Sequence, residues 1–549
     1  MDPRPRLRRP DRNQLHLRAF DLEELVPPDH LARAIWAVVE KVDLRELYEK
    51  IGSVEGGPGA PATDPAVLLA LWLFGTCEGV GSARELDRRC HRDAPYMWLC
   101  GGLTTNHTSL AVFRARNPDF LDSLLATSVA TLATAGFVNL ETIAVDGRRI
   151  RANASAASFR SREALDALHA KAKALVDALK NRLEDEDAGD EATNRAAAAR
   201  RKADEDRLRR IEDALKAVTE AEATKERNRP KRTVKATPAK KSKSPTTDAP
   251  SLFPQGATAP QVMAAEGDAA TDRRDDDQDG IERTNAPVCP CDDASEGANE
   301  AGVDADDGDD GHGGSSDGGA APAGGATEPG PTAPKDVHPT RSADSTETVT
   351  NQSLARASTT DPDARVMKMA DGGYRPAYNC QTVVSTEHSV ILHVSVETVG
   401  SDAGLLLSAV RSVETKYKGR VEKVLADGGY VNLDAIQELE GRPEATAVYM
   451  PPPRPRGKGS TKRGRYTRLA GDSEQLATWR ERLGTPEGMQ TYRKRSQIAE
   501  LPHAGYANRG FNQVRTRGRD RVRSELLLQA IANNFKIQLR LMGLSGAPG

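Results

Sequence analysis

The sequences IAVDG at residues 143–147 and VLADGGY at residues 424–430 share one pattern, from which the fold of this chain can be worked out. Each contains a short apolar run typical of a buried β-strand, and each run ends in an aspartate followed by glycine. A carboxylate at the end of a buried strand must be paired, hydrogen-bonded or bound to a cation, because an unpaired charge near a core is unfavourable. The two strand ends, at Asp146 and Asp427, therefore predict one metal site.

The sequence around these two strands is of mixed α/β type. Residues 378–384 and 389–398 predict adjacent strands joined by a short polar turn. A Ser-Asp pair predicts the cap of a helix over residues 401–417, and a strand at 421–426 then leads to Asp427. We therefore expect an α/β core with a mixed sheet.

The segment before the first strand, residues 1–137, predicts an all-helical N-terminal domain. Apolar residues at helical spacing within residues 21–50 indicate an amphipathic helix, and Asp64 before a proline indicates a capped helix start. A short basic helix follows, on which Arg84 and Arg88 are candidate phosphate contacts. Two interpretations stay open: a DNA reader resembling a helix–turn–helix, or a small bundle whose basic face is only solvated.

A long insertion separates the two aspartate strands. Residues 161–227 carry two leucine-rich series separated by a polar turn, which predicts an antiparallel helical hairpin. The following stretch has almost no large apolar residue and is rich in Asp, Gly, Ala, Ser and Pro, which predicts disorder. The expected order is a helical N-terminal, DNA-binding domain at 1–137, the first part of the core at 138–158, a helical hairpin at 159–228, a disordered low-complexity insertion at 229–357, and the rest of the core with basic C-terminal helices at 358–542.

Composition narrows the class of protein. Charged residues make up 29% of the 549 residues, yet the formal net charge is −3, because an acidic, glycine-rich middle roughly cancels basic flanks. No run approaches the roughly 18 apolar residues of a membrane helix, so we expect no membrane partner and a cytoplasmic location. The six cysteines lack zinc-site spacing, so we expect reduced, unligated thiols.

The C-terminal region is strongly basic. Residues 451–465 hold six Lys or Arg and no acid, and residues 491–523 hold nine against two acids. Dense cations favour phosphate contacts by releasing counterions, although a charge run is also typical of a merely solvated face. The candidate DNA contacts here are Tyr492, Arg493, Lys494, Arg495, Arg515, Arg517 and Arg519.

A third acid, Glu500, lies inside this basic region. Two magnesium ions can assist the transfer or hydrolysis of a phosphodiester. Magnesium prefers a few carboxylates plus water as ligands. Asp146, Asp427 and Glu500 would therefore suffice to bind it if the sheet placed them together. The alternative interpretation is that each Asp-Gly pair is a turn and that Glu500 is an exposed acid balancing its basic neighbours.

An ordered series of motifs resembles the DDE transposases of bacterial insertion sequences. The series covers nearly all of the chain outside residues 160–355. Its members are DP at 64–65, SxREL at 82–86, FR at 113–114, VDG at 145–147, ANAS at 152–155, DPDA at 361–364, GY at 373–374, YNxQ at 378–381, SD at 401–402, ADGGY at 426–430, YxxR at 492–495, RG at 517–518 and NN at 533–534.

The resemblance implies an RNase H-like catalytic core in which Asp146, Asp427 and Glu500 bind two Mg²⁺ ions, for which Mn²⁺ could substitute. It also implies double-stranded DNA partners, namely the terminal inverted repeats of the element and target DNA, a homodimer in the DNA complex, and a place at the nucleoid. The expected reaction is strand cleavage at the element ends, followed by attack of the freed 3′-hydroxyl on target DNA. The alternatives are a catalytically inactive DNA-binding relative and, third, a resolvase or other nuclease on the same fold.

The sequence departs from the family pattern after the third acid. The family commonly has proline directly after that acid, with a glycine and a lysine soon after, whereas here proline stands second, at Pro502, and the lysine has no clear counterpart. A proline in that position can begin a helix but is expected to break one already under way.

Overall fold

The computed structural model describes residues 21–53, 60–185, 191–227, 355–453 and 462–543. All of these segments belong to one compact unit. Most of the segment predicted to be disordered, residues 229–357, lies outside the described residues, and so do Arg454, Arg456 and Lys458 of the basic stretch.

The N-terminal region is helical, as predicted. Asp64 caps the third helix by accepting a 2.8 Å hydrogen bond from the backbone N–H of Ala66. The first helix ends at Val39, because the chain turns there and brings Leu44 and Leu47 into the same core. The helices are α1 (Leu31–Val39), α2 (Arg45–Tyr48), α3 (Pro65–Cys77), α4 (Ala83–Cys90), α5 (Ala94–Cys100), α6 (His107–Arg116) and α7 (Pro118–Thr134).

The remaining elements alternate between strands and helices. In chain order they are β1 (Thr142–Arg151), β2 (Phe159–Ser161), α8 (Arg162–Asp185), α9 (Glu191–Arg227), β3 (Arg356–Ser358), β4 (Arg365–Lys368), β5 (Tyr374–Ser385), β6 (Ile391–Glu397), α10 (Leu405–Tyr417), β7 (Lys423–Leu425), α11 (Leu433–Gly441), β8 (Ala447–Tyr449), α12 (Glu474–Arg482), α13 (Pro486–Asn508) and α14 (Arg519–Leu541).

The main sheet is mixed, which confirms the predicted fold class. Its order is β4, β5, β1, β7 and β8, with β6 also paired to β5. The strands β4, β5, β6 and β1 pair antiparallel, whereas β7 and β8 run parallel to β1. The predicted hairpin between residues 378–384 and 389–398 is therefore present as β5 and β6.

One of the two predicted strand ends is wrong. The strand β1 does not stop at Asp146 but continues to Arg151, because β5 pairs with it from Ser385 back to Ala377 and supplies a partner for each residue. The other end is as predicted, since β7 ends at Leu425 just before Asp427.

The insertion begins with α8 and α9, which pack against one another. Leu165 and Val176 of α8 and Ile211 and Val218 of α9 are buried there. The short strands β2 and β3 pair where the chain leaves and re-enters the core.

The N-terminal helices and the sheet share one hydrophobic core. The helix α14 lies between them and contacts α3, α6, α7 and β6. The side chain of Asn534 on α14 accepts a hydrogen bond from the backbone N–H of Ile391 and donates one to its carbonyl, each at 2.8 Å. This buried amide therefore pairs with the edge of β6 as a neighbouring strand would. Across the described ranges, no helix is long and apolar enough to cross a membrane.

Candidate active site

The register of the two parallel strands brings two aspartates together. Ala144 of β1 pairs with Leu425 of β7, and an aspartate follows two residues later in each segment, within β1 at Asp146 and in extended backbone just past β7 at Asp427. Because side chains two residues apart lie on the same face of a strand, both carboxylates emerge on one side of the sheet. The Asp146 side chain is 15% exposed and that of Asp427 is 44% exposed, so Asp427 is the more accessible of the two carboxylates.

A basic side chain from α13 lies between these carboxylates. Nη2 of Arg495 donates a 3.0 Å hydrogen bond to Oδ1 of Asp146 and lies 3.8 Å from Oδ2 of Asp427. The Arg495 side chain is only 12% exposed, and its Nε has no hydrogen-bond partner among the described residues. One cationic group thus sits within ion-pair distance of both aspartates.

Burial dominates the electrostatics of Asp146. It raises the pKa of this carboxyl to about 6; Arg495 opposes the rise, whereas Asp427 and Glu500 add to it. His503 lies next to it, with Nε2 3.6 Å from Oδ2 of Asp146, and burial lowers the pKa of His503 to about 4. The histidine is therefore neutral at pH 7, and Arg495 is the charged neighbour that balances Asp146.

Glu500 does not share this position. It is exposed and lies five residues after Arg495 on α13, roughly 140° further around the helix. The face of α13 that meets the sheet carries Ala499, His503 and Tyr506 instead. Glu500 still raises the pKa of Asp146, so its charge is within electrostatic range of that carboxylate.

The donor set only partly fits a divalent ion. Asp146 and Asp427 offer the hard oxygen ligands that magnesium prefers. The guanidinium of Arg495 already lies within 4 Å of both carboxylates. Over the described ranges, however, no three His, Cys, Asp or Glu side chains are close enough together to hold a metal ion. The two aspartates are the part of the predicted triad that the structure brings together.

The helix α13 continues through Pro502, although the proline was expected to break it. Packing explains the difference, because Pro502 is buried together with His503, and tertiary contacts offset the lost backbone hydrogen bond. The continuous helix is what carries Arg495 and His503 to the same carboxylate.

A buried polar network supports the other face of β1. Asp402 accepts hydrogen bonds from Asn379 at 2.7 Å and from Gln381 at 2.9 Å, and the Tyr430 hydroxyl donates to Gln381. Gly147 lies against this network, where a Cβ atom would overlap Nε2 of Gln381 and lie 2.9 Å from Oδ1 of Asp402. Glycine after Asp146 is therefore required by close approach and not by a turn.

The role predicted for the Ser-Asp pair was wrong. The helix α10 begins at Leu405 with Gly404 as its N-cap, and Asp402 bonds to β5 instead of capping. Sequence reasoning also missed His503 and Arg148, which donates to the His503 carbonyl and to Asn512. Arg148 follows Asp146 by two residues, and this same-face spacing was the one signal that pointed to it.

The predicted DNA contacts occupy several surfaces. Arg493 and Lys494 are exposed on α13, and Tyr492 beside them is half-buried, with its pKa raised by that burial. Of the α4 pair, Arg84 is exposed and Arg88 forms an ion pair with Glu85 at 2.5 Å.

The arginines just before and at the start of α14 are also exposed. Arg517 donates to the carbonyl of Asn153, and Arg519 donates to the carbonyl of Val396. Arg515 is exposed as well, and its backbone N–H is held by Glu525, which places the whole segment firmly on the core.

Two known protein families match this chain, and these matches identify the class of protein to which it belongs. The family described as a transposase domain (DUF772) matches residues 20–116, and the family described as a transposase DDE domain matches residues 336–535. The chain belongs to the DDE transposases of insertion sequences. The two matches together span more than half of this transposase, and the predicted family is confirmed.

The DDE match covers only part of the candidate site. The DDE match contains Asp427 and Glu500, whereas Asp146 precedes it and is separated from it by the insertion. Transposases act on DNA, and DDE domains generally use divalent metal ions. No curated protein and no solved structure gave a match.

Proposed function

We propose that this transposase cuts one DNA strand at each end of its element and joins the freed 3′-hydroxyl to target DNA. The observation that carries the proposal is the parallel register of β1 and β7, which sets Asp146 and Asp427 around one cation beneath the basic helix α13. Two carboxylates from neighbouring strands facing a cationic surface suit phosphoryl transfer on a polyanion. An RNase H-like core, with residues 1–137 as the DNA-binding domain, is part of the proposal.

Asp146 and Asp427 would hold the metal, and Glu500 would complete the set. The expected cofactor is two Mg²⁺ ions, with Mn²⁺ as a substitute. When bound, they would activate the attacking oxygen and stabilise the leaving oxygen. Glu500 is the third member because it is the acid on α13 whose charge acts on Asp146.

The protein's own contribution is positioning and charge. Arg495 offsets the charge of Asp146 in the free protein, and once a metal does so the guanidinium is available for a DNA phosphate. Exposed cations on α13 and before α14 would hold the backbone in register without reading its sequence. The proposed partners are the element's terminal inverted repeats and target DNA at the nucleoid, held by a homodimer because two ends must be joined.

The decisive experiment compares cleavage by the wild type and two matched variants. The substrate is a duplex carrying the DNA that flanks the coding region, incubated with Mg²⁺. Asp427→Asn should lower the cleavage rate by roughly a hundredfold or more, because a charge that stabilises the transition state is lost. Asp434→Asn, at an exposed aspartate on α11, should cleave at the wild-type rate. Equal rates for wild type and Asp427→Asn would show that the site is wrong.

A second candidate function has one observation in its favour. Because Glu500 faces solvent, the described residues gather no three-ligand cluster at the site, which suits a DNA-binding protein that does not cut. The two candidates differ in one assay. A catalytically inactive relative would shift the end-containing duplex in a gel yet produce no cleavage with either Mg²⁺ or Mn²⁺.

A further inference from the structure

An open groove of about 680 Å³ begins at Gly147, the residue after Asp146. Five basic side chains line it against a single acid, Asp371. The basic residues are Arg148, Arg149, Arg151, Lys368 and Arg375, and we call this surface the β1 groove.

The groove exists because β1 is longer than its parallel neighbour. The pairing of β7 with β1 ends at Ala144, whereas β1 continues for seven more residues to Arg151. Along this extension β5 covers one edge of β1, and on the other edge the described residues contribute only an isolated bridge from Gln513 to Arg151. The extension and the hairpin of β4 and β5 therefore form the walls of an open channel.

Two of the five cations are compensated. Arg375 pairs with Asp371 at 2.6 Å, and Arg149 lies 3.4 Å from Asp402. The pair of Arg375 and Asp371 is exposed and contributes little to either partner.

Three cations have no carboxylate partner within the described residues. Arg148 donates only to a carbonyl and an amide oxygen, while Arg151 and Lys368 are exposed and form no ion pair. Cations that converge from separate strands repel one another, so an anion that spans them would be favoured. The groove thus presents unpaired positive charge along the part of β1 that follows Asp146.

We infer that the β1 groove binds the phosphate backbone of the DNA strand that continues from the position of Asp146. This inference rests on the proposed function and adds a second binding surface, distinct from the cations of α13 and α14. The volume is far greater than one phosphate requires, which indicates a chain of phosphates. Tyr374, 70% exposed and paired in register with Lys368, adds an aromatic face next to the cations, a combination that suits nucleic acid better than a small anion.

The test measures DNA binding in EDTA, so that cleavage does not interfere. The groove variant carries Arg151→Ala and Lys368→Ala, and the matched control carries Arg209→Ala and Lys216→Ala on α9, where both side chains are equally exposed cations. The probe is the duplex carrying the flanking DNA, and its affinity is measured over a range of salt concentrations. Each lost phosphate contact makes the negative slope of log K against log salt concentration shallower by about 0.9. The slope for the groove variant should therefore be shallower by roughly 2, and the variant should bind the duplex about tenfold more weakly.

The control should keep the wild-type slope, and Arg151→Lys with Lys368→Arg should restore binding because the charges return. A groove variant with wild-type affinity and slope would overturn the inference. The proposed function is judged separately, by cleavage with Mg²⁺. If the wild type cleaves and the groove variant binds normally, only the groove is wrong. If the wild type binds with a groove-dependent slope but does not cleave, the groove stands and the proposed chemistry falls.

Discussion

Arg495 donates a 3.0 Å hydrogen bond to Asp146 from a helix 349 residues further along the chain. Burial alone would favour the protonated form of this aspartate, and the guanidinium is the group that opposes it. The site is therefore arranged around a positive charge even without a metal. This relationship leads to the first prediction.

Arg495→Ala should make the stability of the transposase depend more strongly on divalent metal. Without the guanidinium, Asp146 and Asp427 repel each other with no cation between them, so the free protein should lose about 1–3 kcal/mol of unfolding free energy. Metal that binds the native state alone restores stability by mass action. The rise in Tm on adding Mg²⁺ should thus be larger for the variant than for the wild type.

The matched control for this measurement is Arg493→Ala, at an exposed arginine on the same helix. Its Tm should respond to Mg²⁺ as the wild type does. An Arg495→Ala protein whose Tm gains no more from Mg²⁺ than the wild type would count against a metal position between the two aspartates.

Asp146→Asn should change how stability depends on pH. The native pKa of Asp146 is raised to about 6 from an ordinary value of 3.8, so the native state binds this proton more tightly than the unfolded chain does. The resulting stability is fully present below pH 3.8 and is lost as pH rises through 6, by roughly 2–3 kcal/mol in total.

Asparagine at position 146 removes this pH-dependent loss of stability, because its side chain carries no charge at any pH. Urea unfolding of both proteins from pH 4 to pH 8 would measure this loss. The difference in unfolding free energy between variant and wild type should grow as pH rises through about 6 and then stay constant up to pH 8. A constant difference would mean that Asp146 titrates normally. The variant should also fail to cleave DNA, which would separate the stability of the site from its activity.

Gly147→Ala should damage both stability and cleavage. The added methyl group would overlap the buried amide of Gln381, which is held by Asn379 and Asp402, so either this amide gives up its hydrogen bonds or β1 shifts. Overpacking of this kind costs about 1–3 kcal/mol, and the shift would displace the adjacent Asp146. Gly52→Ala is the control, since a Cβ atom there would meet nothing within 4 Å. Equal unfolding free energies for both variants would contradict the tight packing at Gly147.

Arg114→Met should weaken the attachment of the N-terminal helices to the main sheet. Arg114 is buried on α6, donates to the carbonyl of Gly81 at 2.7 Å, stacks on Trp72 and lies 3.9 Å from Glu525 of α14. Removing one partner of a buried ion pair costs about 3–5 kcal/mol. Urea unfolding followed by tryptophan fluorescence should show one transition at lower denaturant.

Arg116→Met, two residues later and exposed, should leave the transition in place. Two separate transitions in the wild-type protein would contradict the shared core of the two regions.

Several features of the fold could be predicted locally. The Asp64 cap, the hairpin of β5 and β6 and the strand that leads to Asp427 all depend on residues within a few positions of one another, so composition and periodicity record them. The continuation of β1 past Asp146 could not be predicted this way. It depends on pairing with β5, which lies beyond the insertion and gives a polar sequence a strand conformation.

Side-chain chemistry and short-range periodicity were enough to name the candidate ligands for metal and phosphate and to order the elements that carry them. The tertiary structure alone decided that Asp146 and Asp427 meet, that Arg495 lies between them, and that Glu500 faces solvent. Strand register and the rotation of a helix are set by packing between segments hundreds of residues apart, and no local pattern encodes that packing.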